Sequence, residues 1–302
     1  MYDIIIIGSG AAGMTAGIYA IRRKMKTLII GRQVGGQIAM ASTIENYPGF
    51  KTIDSFELIQ KMEEQVKSLG VEMKTEEVEE IIKKDDNFLI ITNKKQYQCK
   101  TVVLAMGLSP RWLNVQGEKE LSGKGVSYCA NCDGPLFKNK VVAIIGGGNA
   151  ALDAAEVLSK IASQVFLIHR TSRFRGFEAL ATKVQQRDNI EIIFDSNVQE
   201  IIGQNKLEKI KIINNKTNKI RGITLDGVFI EIGREAYTEI ASDLVELDVN
   251  KKIIIDLNCQ TSQSGVFAAG DVTQVSFNQI IIACGQGAVA ALSAYRYLQG
   301  KG

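Results

Sequence analysis

Two glycine-rich loops, each preceded by a short apolar run and followed by a helical pattern, predict an α/β fold made of two similar domains. The first loop is Gly8-Ser9-Gly10-Ala11-Ala12-Gly13, and the second is Gly146-Gly147-Gly148-Asn149-Ala150-Ala151. Turn-like breaks near Ser109-Pro110 and Gly233-Arg234 bracket the second copy, which predicts that it is inserted into the first.

Residues 3–7 form an unbroken apolar run suited to a strand buried on both faces, and glycines follow at once. Residues 11–22 then read as helix and 27–30 as a second parallel strand, which makes a βαβ unit with its glycine turn at a helix start. The plan returns with a strand at 141–145, a helix at 150–160 and a strand at 165–168. Each copy closes alike: 101–105 runs into Met106-Gly107, and 227–232 runs into Gly233. Alternating segments between, such as 87–92, suit an antiparallel meander. From residue 253 the chain returns to complete the first domain. The expectation is two Rossmann-like, three-layer ββα nucleotide-binding domains.

Composition narrows the class. The chain has 302 residues, 45% hydrophobic and 23% charged, enough for two ordinary globular domains. A net charge of +3 without a long basic run does not imply nucleic acid as a partner. The weakly polar stretch 280–295 carries Gln286 and small-residue breaks, so it reads as a buried helix rather than a membrane span. A first strand at Asp3 leaves no room for a leader, and five cysteines with one close pair do not form a secreted disulfide framework. A cytoplasmic protein is expected.

Glycines in such loops let the backbone turn tightly and approach a pyrophosphate, whose charge is met by amide N–H groups at the helix start. The candidate contacts in the first loop are Gly8, Gly10, Ala11, Ala12 and Gly13; in the second they are Gly146, Gly148, Asn149, Ala150 and Ala151. Neither copy ends its second strand with the acidic residue that holds an adenosine ribose. The first ends in Gly31-Arg32, which turns attention to Arg32 and its neighbours. The second ends in His169-Arg170, with Arg173 and Arg175 close behind and no carboxylate from 161 to 175. That positive charge favours a phosphate-bearing ribose. Arg173 reads as a solvated loop cation, and His169, the single histidine, as a pocket residue rather than a catalyst.

Between the loops lies Cys129-Ala130-Asn131-Cys132-Asp133-Gly134. A Cys-x-x-Cys can close a disulfide within one turn, whose ends fall inside the roughly 7 Å limit for bridging. One dithiol flanked by two nucleotide sites suggests an electron path from nicotinamide to flavin to disulfide. With no histidine nearby, Asp133 is the adjacent candidate for the proton that thiol–disulfide exchange requires, although a turn carboxylate can also cap backbone N–H groups. Structural zinc needs four ligands, and Cys99, Cys259 and Cys284 are isolated, so they read as small buried hydrophobes and no metal is expected.

Taken together these motifs resemble those of the low-molecular-weight thioredoxin reductases over essentially the whole chain. Gly35-Gly36-Gln37 and Glu45-Asn46-Tyr47-Pro48-Gly49 are similar to the family's flavin-lining segments, and Tyr128 through Gly134 to its dithiol. His169-Arg170 with Arg175 is similar to its 2′-phosphate pocket, and Gly265 through Asp271 to its second FAD motif. Departures fall at Thr171, where a second arginine is usual, and at Ala150, Met106, Asn278 and 233–237.

The resemblance implies an FAD domain at 1–112 and 236–302 and an NAD(P)H domain at 113–235 that carries the dithiol. It implies FAD contacts at Gly36, Gln37, Asn46, Gly107, Gly270 and Asp271, and at Gln279 and Ile280, besides the first loop. Hydride would pass from NADPH, with NADH also possible, to FAD; reduced flavin would open Cys129–Cys132, with Cys132 nearer the flavin. Cys129 would then attack a thioredoxin- or glutaredoxin-like protein disulfide, with Asp133 protonating the leaving sulfur. A homodimer is implied, with the two domains rotating about their crossings. Two rivals stand beside this reading: a same-fold reductase fed by ferredoxin or a deazaflavin, and a non-catalytic flavin-bound redox sensor.

Overall fold

The structure is a computed structural model that describes residues 1–40 and 43–300. The chain divides into two compact units, Met1–Ser109 with Glu235–Gly302, and Pro110–Arg234. The second is therefore inserted in the chain of the first. Its ends fall at 109/110 and 234/235.

In the first unit the strand Tyr2–Ile7 lies between Thr27–Gly31 and Gln96–Leu104, parallel to both. Glu72–Thr75 extends the sheet on one side, and the meander Val78–Lys84, Asn87–Thr92 and Gln96–Leu104 completes the other. Val266–Ala268, from the returning chain, also pairs parallel with Gln96–Leu104. The expected strand 101–105 is thus the inner half of a longer one, because its outer half belongs to the meander.

Both faces of this sheet are covered, and the isoleucine run shows it directly. Ile4 and Ile6 enter one core with the helix Ala11–Arg22, whereas Ile5 and Ile7 enter the core on the opposite face. The helix Ile280–Leu298 packs against Ala11–Arg22, and a Cβ on Gly287 would collide with the Ala12 carbonyl. That close approach explains its small residues. The helix runs past the expected end at 295 and buries one face only, with Ile281 and Val289 exposed. No helix among the described residues is long and apolar enough to cross a membrane.

The second unit repeats the plan. Its parallel sheet runs Val126–Ser127, Gly227–Ile230, Val141–Ile145, Gln164–Ile168, Ile190–Ile193. Val142 and Ile144 face one core with the helix Asn149–Ser159, and Ala143 and Ile145 face the other. That second core is closed by the antiparallel strands Ser196–Ile202, Lys209–Asn214 and Ile220–Thr224.

Candidate functional site

In the first glycine loop, Gly8 has φ +117° and a Cβ there would lie on the Ala105 carbonyl; a Cβ on Gly13 would lie on the Gly8 carbonyl. Both are structural requirements of the turn. Gly10 differs: its Cβ would meet nothing closer than 3.8 Å. It caps the helix Ala11–Arg22, whose first turn has no side-chain cap and no acidic residue. Backbone N–H groups and open space together suit the phosphates of a dinucleotide.

The remaining candidate FAD residues of this unit gather in pairs. The Gln37 amide donates to the Asp271 carboxylate at 2.8 Å, and a Cβ on Gly107 would sit 3.7 Å from Gln37 Nε2. Burial raises the pKa of Asp271, opposed by the Gln37 hydrogen bond. Asn46 Nδ2 donates to Gln279 Oε1 at 3.0 Å, at the start of the helix headed by Ile280. Gly270, at φ +81°, donates its N–H to Gln286 Oε1 at 2.8 Å. Gln37 and Asp271, each beside a glycine and far apart in sequence, thus meet at one place.

Arg32 is engaged within the protein. Its guanidinium pairs with Glu77 at 2.6 Å, touches the Tyr237 hydroxyl at 2.5 Å and lies 4.3 Å above that ring.

The second loop is built the same way but furnished differently. Gly146 has φ +151°, and a Cβ there would strike the Glu231 carbonyl; a Cβ on Gly147 would strike the His169 ring. Gly148, the cap of the helix Asn149–Ser159, has nothing within 4 Å of a Cβ position. Ala150 is exposed beside it, and Ala151 is buried against Gly146. The basic loop is fastened over this turn: the Arg175 N–H donates to the Gly147 carbonyl at 2.7 Å, and the Phe177 N–H to Asn149 Oδ1 at 2.8 Å.

His169 is buried, and its Nε2 meets the Thr171 hydroxyl at 2.8 Å. Burial, with the charges of Arg175 and Arg170, lowers its pKa, so it packs as a neutral ring under the loop. Arg170, Arg173 and Arg175 are exposed, and none makes an ion pair among the described residues.

Cys129 and Cys132 are joined in a disulfide with Cα atoms 5.3 Å apart. Cys129 precedes the single turn Ala130–Asp133, and its sulfur accepts the Cys132 N–H at 3.1 Å. Cys129 is buried, and Cys132 is the exposed member of the pair. Behind them the Ser127 hydroxyl donates to Asp133 Oδ2 at 2.6 Å and accepts the Cys129 N–H at 3.1 Å. Asp133 is therefore anchored toward the cysteines through a side chain. The preceding Tyr128 donates its hydroxyl to the buried Glu118 at 3.0 Å, which fixes the approach to the turn.

The model of the pyridine nucleotide-disulphide oxidoreductase family matches residues 2–287. The chain belongs to this family. Within it the chain groups with the thioredoxin reductases. That of Treponema pallidum is 40% identical over 299 residues, covering 98% of this chain and 97% of that protein. The crystal structure of Lactococcus lactis thioredoxin reductase superposes with a TM-score of 0.87 at 39% identity, covering 99% of this chain and 100% of that one. The T. acidophilum thioredoxin reductase gives 0.84 at 37% identity, covering 100% of this chain and 99% of that one. Membership carries a flavin and a pyridine nucleotide as the cofactors of the fold.

Three residues that matter in these geometries carry no local signal in the sequence. Ser127 anchors Asp133, Glu77 neutralises Arg32, and Gln286 holds Gly270. Cys99, Cys259 and Cys284 are buried, and no group of three or more metal-ligating side chains occurs among the described residues.

Proposed function

We propose that this chain is a flavin-dependent reductase of a protein disulfide, taking electrons from NADPH and delivering them through Cys129 and Cys132 to a thioredoxin- or glutaredoxin-like partner. The observation that carries the reading is the Cys129–Cys132 disulfide with Asp133 held behind it by Ser127, in a chain with two dinucleotide loops. When bound, FAD would accept hydride from the nicotinamide and return an electron pair to the disulfide.

The first unit would hold FAD through the Gly8–Gly13 turn, Gly36, Gln37, Asn46, Gly107 and the Gly270-Asp271 strand end. The second would hold the nucleotide through Gly146, Gly148 and their helix start. Arg170 and Arg175 would meet the 2′-phosphate, since among the described residues neither makes an ion pair and each charged hydrogen bond is worth roughly 1.5–3 kcal/mol. Once the disulfide is open, Cys129 as thiolate attacks the partner's disulfide and releases one partner sulfur. Asp133 supplies the proton that this sulfur needs, and Cys132 then resolves the mixed disulfide. We place the working protein in the cytoplasm as a homodimer.

The test is NADPH-driven reduction of thioredoxin by the wild type and three variants. Cys129→Ser and Cys132→Ser should each abolish turnover while FAD stays bound and is still reduced. Asp133→Asn should slow reoxidation by disulfide about 10²-fold, the usual worth of positioned acid–base catalysis. Because Cys132 is the more exposed sulfur, the order of attack has its own readout. Cys132→Ser should trap a mixed disulfide with thioredoxin and Cys129→Ser should not; the reverse pattern exchanges their roles.

A further inference from the structure

A carboxylate that the reaction above does not use sits between the second glycine loop and the dithiol. Glu231 follows the strand Gly227–Ile230, all four residues of which are buried. Its backbone N–H donates to the Ile145 carbonyl at 2.8 Å, and its own carbonyl closes the space beneath Gly146, so its main chain belongs to the second glycine loop. Its side chain belongs to the dithiol: the carboxylate accepts the N–H of Ala130, the residue that follows Cys129.

The charged groups around it come from three directions. Arg234, whose guanidinium also reaches the Tyr128 carbonyl at 3.5 Å, attracts it, and Asp153 of the helix Asn149–Ser159 repels it. Asp133 lies at the far end of the dithiol turn, tied to Ser127, and the Arg111 side chain passes Gly233. A carboxylate at the end of a buried apolar strand costs free energy unless paired, and nothing in the fold of the strand calls for it. Burial foremost, and then Asp153, push its pKa up to about 7 against the pull of Arg234 and the Ala130 N–H.

We propose that Glu231 is a proton-holding partner of the Cys129–Cys132 couple, binding one proton as the disulfide opens and returning it as the disulfide re-forms. This rests on the reductase reading above. Opening the S–S bond takes two electrons from the bound flavin and two protons. One proton goes to a sulfur and leaves the other sulfur as thiolate. The new negative charge, beside the amide that Glu231 accepts, disfavours a second one nearby, so the other proton goes to Glu231. On reoxidation both electrons leave in the new pair of substrate thiols, and the thiol proton and the Glu231 proton leave with them.

The experiment is the dithiol–disulfide equilibrium of the flavin-loaded full chain in dithiothreitol redox buffers from pH 6 to 9. It is read by alkylation and mass of the peptide that carries Cys129 and Cys132. At pH 6, wild type and Glu231→Gln should agree. Above pH 7 they should diverge, until at pH 8.5 the wild-type dithiol is about tenfold harder to form, about 30 mV for this two-electron couple. Curves that stay parallel over the whole range would mean that Glu231 only packs, and would overturn the proposal. If Glu231→Gln does not hold flavin, the wild type alone decides: once the two protons that dithiothreitol releases are counted, the potential of its couple should fall by one proton more per pH unit, tenfold or about 30 mV, between pH 7 and 8 than below pH 7, and an unbroken line overturns the proposal. A pair that resists reduction in every buffer would defeat the reductase reading itself, and this proposal with it.

Discussion

The two glycine loops are nearly the same backbone, yet they treat positive charge in opposite ways. At the end of the second strand of the first unit, Arg32 is neutralised by Glu77 and covered by Tyr237. At the equivalent strand end of the second unit, Arg170, Arg173 and Arg175 carry no ion pair among the described residues, while the loop bearing them is bolted to Gly147 and Asn149. In the proposed reading, the shared part would recognise what all dinucleotides share. The strand-end furniture would then distinguish them: a compensated cation suits a ribose without added charge, and uncompensated ones suit a phosphate. On that proposal, a fold copied twice in one chain would take two ligands by changing a few side chains at one rim.

The comparison breaks most severely where the backbone itself is at stake. Gly13→Ala should expel FAD and destabilise the protein by about 1–3 kcal/mol, because the new methyl falls on the Gly8 carbonyl. Gly148→Ala should change stability by less than about 0.5 kcal/mol and instead raise KM for the nucleotide, since its methyl meets only open space. Urea unfolding with KM for each variant checks both halves. Comparable destabilisation in the two would show that Gly148 is structural too.

Arg170→Ala should lower kcat/KM for NADPH by one to two decades, the worth of one charged hydrogen bond of roughly 1.5–3 kcal/mol, and leave NADH almost unchanged. Equal losses with both nucleotides would remove Arg170 from the phosphate. Thr171→Arg sharpens the point. It adds a cation but takes the hydroxyl from buried His169, so it should improve NADPH several-fold while costing about 1 kcal/mol of stability. The smallest effect belongs to Glu77→Gln: an exposed pair contributes about 1 kcal/mol or less, so FAD affinity should change less than about fivefold. A large loss would give Arg32 and Glu77 a direct part in holding the cofactor.

The sequence made some of this legible and hid the rest for physical reasons. Glycine positions are readable because φ of +117° at Gly8 or +151° at Gly146 admits few other residues, and strand and helix periodicity place them. The Cys-x-x-Cys-Asp turn is readable because its contacts lie within a few residues. The partners of those residues are not. Glu77 is 45 positions from Arg32, and Asp271 is 234 from Gln37; only the folded sheet brings them together. Ser127 is near Asp133 in sequence, but nothing in the residue types says that its hydroxyl meets that carboxylate. Likewise 227–232 reads as one strand running into Gly233, and nothing local says that Glu231 turns toward Ala130.

One measurement bears on the central claim, that electrons from a nicotinamide reach this particular disulfide. Air-oxidised, flavin-loaded protein is mixed anaerobically with NADPH, quenched with an alkylating agent and analysed peptide by peptide. Cys129 and Cys132 should become labelled together, while Cys99, Cys259 and Cys284 stay buried and unlabelled in the folded protein. Flavin that bleaches while Cys129–Cys132 remains joined would contradict the claim.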